Sequence, residues 1–86
     1  MNPTRLAARL HFMAKQLRGE ADRHQGEQRD QLIRASRQCS YSFPMAYSKD
    51  PETQAVAASI LDGAIDYLVD VMTARTEREL TKGTTP

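Results

Sequence analysis

Between Val56 and Ala74 the chain is apolar at almost every position outside one narrow set. Placed on a helix at about 100° per residue, Ser59, Asp62, Gly63, Asp66, Asp70, Thr73 and Glu77 share one arc. Val56, Ile60, Leu61, Ile65, Leu68, Val69, Val71 and Met72 lie outside it. The apolar sector spans about 220°, whereas a helix on the surface of a globular domain needs little more than about 100°. One neighbouring helix cannot cover so wide a sector. The pattern predicts a long central helix over about 51–80, with partners on two sides, some of them from a second copy of the chain.

The start of that helix is marked by Asp50-Pro51-Glu52. This is an acidic cap, a proline at the first position and an acid in the first turn. Arg75, Arg78 and Lys82 lie toward its end, where cations suit the dipole, and Gly83 is placed to close it in the left-handed conformation. Residues 83–86 are expected to form a tail. At 1.5 Å per residue the helix is roughly 45 Å long.

Upstream, Asn2-Pro3 repeats the cap-then-proline signal. Leu6, Leu10, Met13, Ala14, Leu17 and Ala21 then recur at helical spacing, with Arg5, Arg9, Gln16 and Glu20 off that face. A first amphipathic helix is predicted over about 3–24, roughly 33 Å long and so too short to cover the central one. Asp22 to Gln31 contains no apolar residue. A break near Gln25-Gly26 is favoured over one continuous helix, since glycine costs about 1 kcal/mol in a helix. Leu32, Ile33, Ala35, Ser36 and Cys39 predict a short second helix over about 27–39. Residues 40–49 read as a connection, because Pro44 removes an N–H and pushes Phe43 away from helical geometry.

The expected fold is therefore all-α, one domain over residues 1–86, with two or three helices per chain. A helical hairpin with a long central C-terminal helix, its first helix antiparallel to its last, is expected to assemble as a dimeric helical bundle. A chain of 86 residues has a core of the size that association or tight helix packing commonly supports. A single cysteine, Cys39, leaves no internal disulfide and suits a reducing compartment. No apolar run approaches the roughly 18 residues of a membrane span, and Leu10 to Ala14 is too short for a signal-peptide core. Cytoplasm is the expected setting.

Charge divides the chain. Residues 1–50 carry nine Lys/Arg against five Asp/Glu, and residues 51–86 carry three against six, within an overall +1. Internal pairing of a basic half with an acidic half needs the fewest assumptions. Asp62, Asp66 and Asp70 stand one turn apart, as a solvated face, a row paired with Arg5 and Arg9, or a docking stripe for a basic partner. No histidine joins them, so no metal site is expected. His11 and His24 are read as structural or solvated, and Cys39 as a small buried residue. No nucleophile motif, zinc spacing or glycine-rich phosphate loop is present, and neither catalysis nor a cofactor is expected.

Two functional readings follow. The stretch 40–49 holds Tyr41, Phe43, Met45 and Tyr47, residue types that bury much area at low entropy cost in recognition surfaces. Either these side chains plug the end of the bundle or they bind a partner. The reading preferred here is a small non-enzymatic interaction protein, an adaptor, inhibitor or regulator. It would bind another protein through Tyr41, Phe43, Met45 and Tyr47, with Asp62, Asp66 and Asp70 as a secondary contact. The alternative is a nucleic-acid or nucleotide binder using Arg5, Arg9, Arg29, Arg34 and Arg37. Against it, the cations are interleaved with acids, and a pI near 7.9 is below the range typical of such domains.

Overall fold

Asn2 opens the first helix as its spacing predicts. Its side-chain oxygen accepts from the backbone N–H of Thr4 at 2.9 Å and of Arg5 at 3.3 Å, satisfying donors that the first turn would otherwise leave unpaired. In the computed structural model, which describes the backbone of residues 2–84 and the side chains of residues 2–82, this helix, α1, runs Pro3–Ala21. It stops three residues short of the predicted end. Beyond Ala21 no apolar side chain remains to hold the helix on the core, and Arg23 and His24 N–H groups turn back onto the Glu20 and Ala21 carbonyls.

The break falls at Gly26, whose φ is 65°, a left-handed conformation that costs other L-residues roughly 1–2 kcal/mol. Nothing lies within 4 Å of a Cβ added there, nor of one added at Gly19 within α1. The two glycines thus differ only in backbone conformation. Gly26→Ala should destabilise the fold by about 1 kcal/mol and Gly19→Ala should stabilise it by up to about 1 kcal/mol, as read from urea midpoints. Equal effects of the two changes would contradict the left-handed assignment.

The second helix, α2, spans Gly26–Ser42, longer than its weak apolar face suggests. Leu32, Cys39 and Ser42 point into the core, and Ser42 satisfies its hydroxyl on the Gln38 carbonyl at 2.8 Å. Phe43 also departs from expectation: its φ −52° and ψ −52° are helical. The bias that proline imposes on its predecessor is overcome here. The Phe43 ring packs edge-on to His11 and Tyr47, and Pro44 opens a 3₁₀ turn, Pro44–Tyr47, at a position where no N–H is needed.

Asp50 caps the last helix, α3, Pro51–Thr84, accepting from Glu52 N–H and the Thr53 hydroxyl. Gly83 does not close this helix, which continues through it to Thr84. A tail beginning at residue 83 is therefore corrected, and the part of it at Thr85 and Pro86 lies outside the described residues. With 34 residues α3 is the longest element, and the molecule is a rod of 58 × 22 × 16 Å.

Polar contacts give the helix directions. Ser36 on α2 donates to the Ala14 carbonyl and Arg29 to the Ala21 carbonyl, so α1 and α2 are antiparallel. Gln28 and Gln31, early in α2, bond Tyr67 midway along α3, while Ala35 and Gln38 flank Val56 and Ile60, so α2 and α3 are antiparallel too. Arg5 and Arg9 lie beside Leu61 and Asp62, whereas Glu20 meets Arg75. The first helix is thus parallel to the last, not antiparallel. The physical reason is α2: as a full-length helix between two tight turns it reverses the chain twice, giving an up-down-up bundle.

Leu6, Leu10, Met13, Leu17 and Leu32 meet Ala57, Leu61, Ala64, Leu68 and Val71 in one core. Among the described residues there is no strand, and no helix is long and apolar enough to cross a membrane.

Candidate functional site

The end of the bundle where α2 gives way to α3 carries the aromatic group singled out in the sequence. Its side chains divide by direction. Ala46 is fully buried and Met45 packs against the core, so these two close the end of the bundle. Tyr47 is 53% exposed and Phe43 is exposed beside it, while Tyr41, 76% exposed, projects separately from the last turn of α2. The turn is firmly held: Gln54 donates to the Ala46 carbonyl at 2.9 Å. The Phe43 ring stands edge-on to Tyr47 at 6.0 Å and to His11 of α1 at 6.3 Å, a spacing favoured by ring quadrupoles. The result is a small ordered aromatic surface that lies over an already closed core.

The acidic row lies on the outer crest of α3. Asp62, Asp66 and Asp70 are all exposed, and among the described residues none makes an ion pair, although Arg5 and Arg9 share with Asp62 a groove of about 340 Å³. Among the described residues no group of three or more His, Cys, Asp or Glu is gathered as a metal site.

The five arginines are not brought together. Arg5 and Arg9 lie on α1 toward α3, and Arg34 and Arg37 are exposed on α2. Arg29 bonds the Ala21 carbonyl and the Asp22 carboxylate, closing the end of α1. Since Arg5 sits sixteen residues before Ala21 on the same helix, it is about 24 Å from Arg29 along the bundle.

One charged cluster escapes sequence reasoning altogether. Glu20, assigned by periodicity to the polar face, is only 5% exposed. Arg75 donates to it through Nε at 2.8 Å and Nη2 at 3.3 Å, His24 lies 2.9 Å from it, and Arg75 also reaches Glu79. Burial pushes the Glu20 carboxyl up, but the hydrogen bonds and positive charge of Arg75 and His24 prevail and hold it below its ordinary value. The hydrogen bond to Glu20 likewise raises Arg75. This cluster ties the end of α1 to α3. Cys39, fully buried, has its thiol pushed up by desolvation, consistent with a packing role.

Two grooves flank the crest of α3. Toward α2, one of about 590 Å³ is lined by Ala35, Gln38, Val56, Ile60, Gly63 and Tyr67. Toward α1, Phe12, Val69 and Met72 remain exposed. Phe12 was not marked by the sequence reading, and the available signal was an aromatic residue off the apolar face of an otherwise regular helix. The fold and surface together define a small up-down-up three-helix bundle with outward aromatic and apolar patches. No protein-family model, curated protein or solved structure matches the chain.

Proposed function

We propose that this chain is a small non-enzymatic interaction protein that acts by occupying the surface of another protein. The observation that carries the reading is the division of the aromatic stretch. Met45 and Ala46 close the core, which leaves Phe43 and Tyr47 facing outward on a firmly held turn, with Tyr41 exposed on the end of α2 before it. Exposed aromatics held in place lose little entropy on binding, which is the character of an anchor. The free acids Asp62, Asp66 and Asp70 supply a second contact for a basic surface. The chain works as a twofold dimer in this reading, because α1 and α2 cover α3 on one side only. Its buried thiol suits the reducing cytoplasm.

The test compares the wild type with Tyr41→Ala/Tyr47→Ala in capture from extracts of the source cells. Tyr41 is exposed, so its change should cost no more than about 0.5 kcal/mol. The change at Tyr47 loses the edge-on contact with Phe43 and should cost about 0.5–1.5 kcal/mol, leaving the variant folded. Binding of the protein captured by the wild type should fall at least roughly tenfold. Unchanged binding by the folded double variant would remove the turn as the site.

The uncommitted cations Arg5, Arg9, Arg34 and Arg37 favour a second reading, a polyanion binder. The two differ in salt response: nucleic-acid binding through several phosphate contacts would weaken by orders of magnitude between about 50 and 200 mM salt, whereas aromatic docking should barely respond. Lack of retention on heparin or DNA at low salt would eliminate the second reading.

A further inference from the structure

The face formed by α1 and α3 carries an apolar strip with unpaired charge of both signs along one stretch. Phe12 is 58% exposed, Val69 55%, Met72 42% and Leu80 65%. Their common side follows from the clefts around them. Arg5 and Arg9 line one with Leu61 and Asp62, and Lys15, Gln16 and Gly19 line the next with Met72. Phe12 falls between Arg9 and Gln16 on α1, at helical spacing from both, and Val69 falls between Asp62 and Met72 on α3 in the same way. The strip therefore reads Arg5, Arg9 and Phe12 on one ridge and Asp62, Val69 and Met72 on the other, with Asp66 on the adjoining crest. None of Arg5, Arg9, Asp62 and Asp66 has an ion-pair partner among the described residues.

We infer that a second copy of this chain covers this strip, related by a twofold axis parallel to the bundle, with Arg5 and Arg9 of each copy against Asp62 and Asp66 of the other. The inference rests on the dimer in the reading above and adds its face and direction. Because α1 and α3 run parallel, such an axis keeps every residue at its own height while laying α1 of one copy over α3 of the other. Arg9 then falls between Asp62 and Asp66, and Phe12 falls beside Val69. A twofold axis across the bundle would reverse the heights and lay α1 on α1 and α3 on α3. It would set Arg9 near Lys15 and Asp66 near Asp70, contacts between like charges that oppose association.

The overhang of α3 fits the same geometry. Glu20, near the end of α1, is level with Arg75, so residues 76–84 project beyond α1. In the parallel arrangement the two projecting ends lie diagonally across the axis, and the exposed Leu80 of each remains on the side of the contact. The groove on the α2 side is the weaker candidate for this contact. There Ile60 and Tyr67 are already half-covered, and the Tyr67 hydroxyl is bonded to Gln28 and Gln31.

Light scattering on the full chain at about 100 µM tests the arrangement, with circular dichroism to establish folding. The wild type should be a dimer. Arg5→Asp/Arg9→Asp and Asp62→Arg/Asp66→Arg should each dimerise at least roughly tenfold more weakly. An equal mixture of the two should recover the dimer, because both contacts of the mixed pair are again between opposite charges. Val69→Lys, at an exposed position that does not serve the fold, should weaken the dimer by a similar factor and covers the case in which a charge variant fails to fold. A dimer indifferent to all these changes would overturn the face while leaving self-association intact. A monomeric wild type would overturn both and leave the strip to a different protein.

Discussion

Replacing Leu17 with alanine should destabilise the bundle by about 3 kcal/mol, within the usual range for a fully buried leucine. Leu17 has no exposed surface and belongs to the one core that all three helices share. Its removal forfeits transfer free energy and leaves a cavity that the packed bundle cannot easily close. In a chain of this size the total stability is roughly 4–13 kcal/mol, so the melting temperature should fall by roughly 12–24 °C. Lys15→Ala, two residues away on the exposed side of α1, should change stability by no more than about 0.5 kcal/mol. Urea unfolding of both variants at several protein concentrations checks the contrast and separates the core effect from any contribution of self-association. A Leu17→Ala loss near that of Lys15→Ala would mean that α1 is not seated as described.

The second large effect is at Glu20. Glu20→Ala should cost about 2–3 kcal/mol, because it removes a carboxylate that accepts charge-assisted hydrogen bonds in a largely buried site. Arg75 and His24 would then be left beside the core without that acceptor. Glu20→Gln retains one oxygen and should cost less. The pH response has a definite sign. The folded-state pKa of Glu20 lies below its ordinary value, so the stabilisation is present above the unfolded carboxylate range, roughly pH 4–5. It is lost as pH falls through the folded value. Unfolding free energies measured between about pH 6 and pH 3 should decline less steeply in Glu20→Gln than in the wild type. An identical slope would mean that Glu20 is not paired in solution. A double-mutant cycle with Arg75→Ala isolates the coupling between the two side chains.

Much of the local structure was legible because its signals act within a turn or two of the chain. Asn2-Pro3 and Asp50-Pro51 mark helix starts through side-chain acceptors and a proline that has no N–H to lose, and both lie where the structure starts a helix. The break near Gln25-Gly26 was legible for the same reason, since an unfavourable helix residue in an apolar-free stretch is a local property. The candidate surface was partly legible. Tyr41, Phe43, Met45 and Tyr47 drew notice by composition, but composition does not tell an inward side chain from an outward one. Only the 3₁₀ turn sends Met45 and Ala46 into the core while leaving Phe43 and Tyr47 exposed, and the end of α2 turns Tyr41 outward.

By itself, the amino-acid order determined that this protein is helical, where its first and last helices begin, and that α3 is more apolar than one neighbouring helix can cover. The parallel course of α1 and α3 and the burial of Glu20 were decided only by the tertiary structure. Caps and periodicity depend on neighbours three or four residues apart. The fate of Glu20 depends on Arg75, 55 residues away, and a charged side chain can be buried only once folding has brought its partner to it.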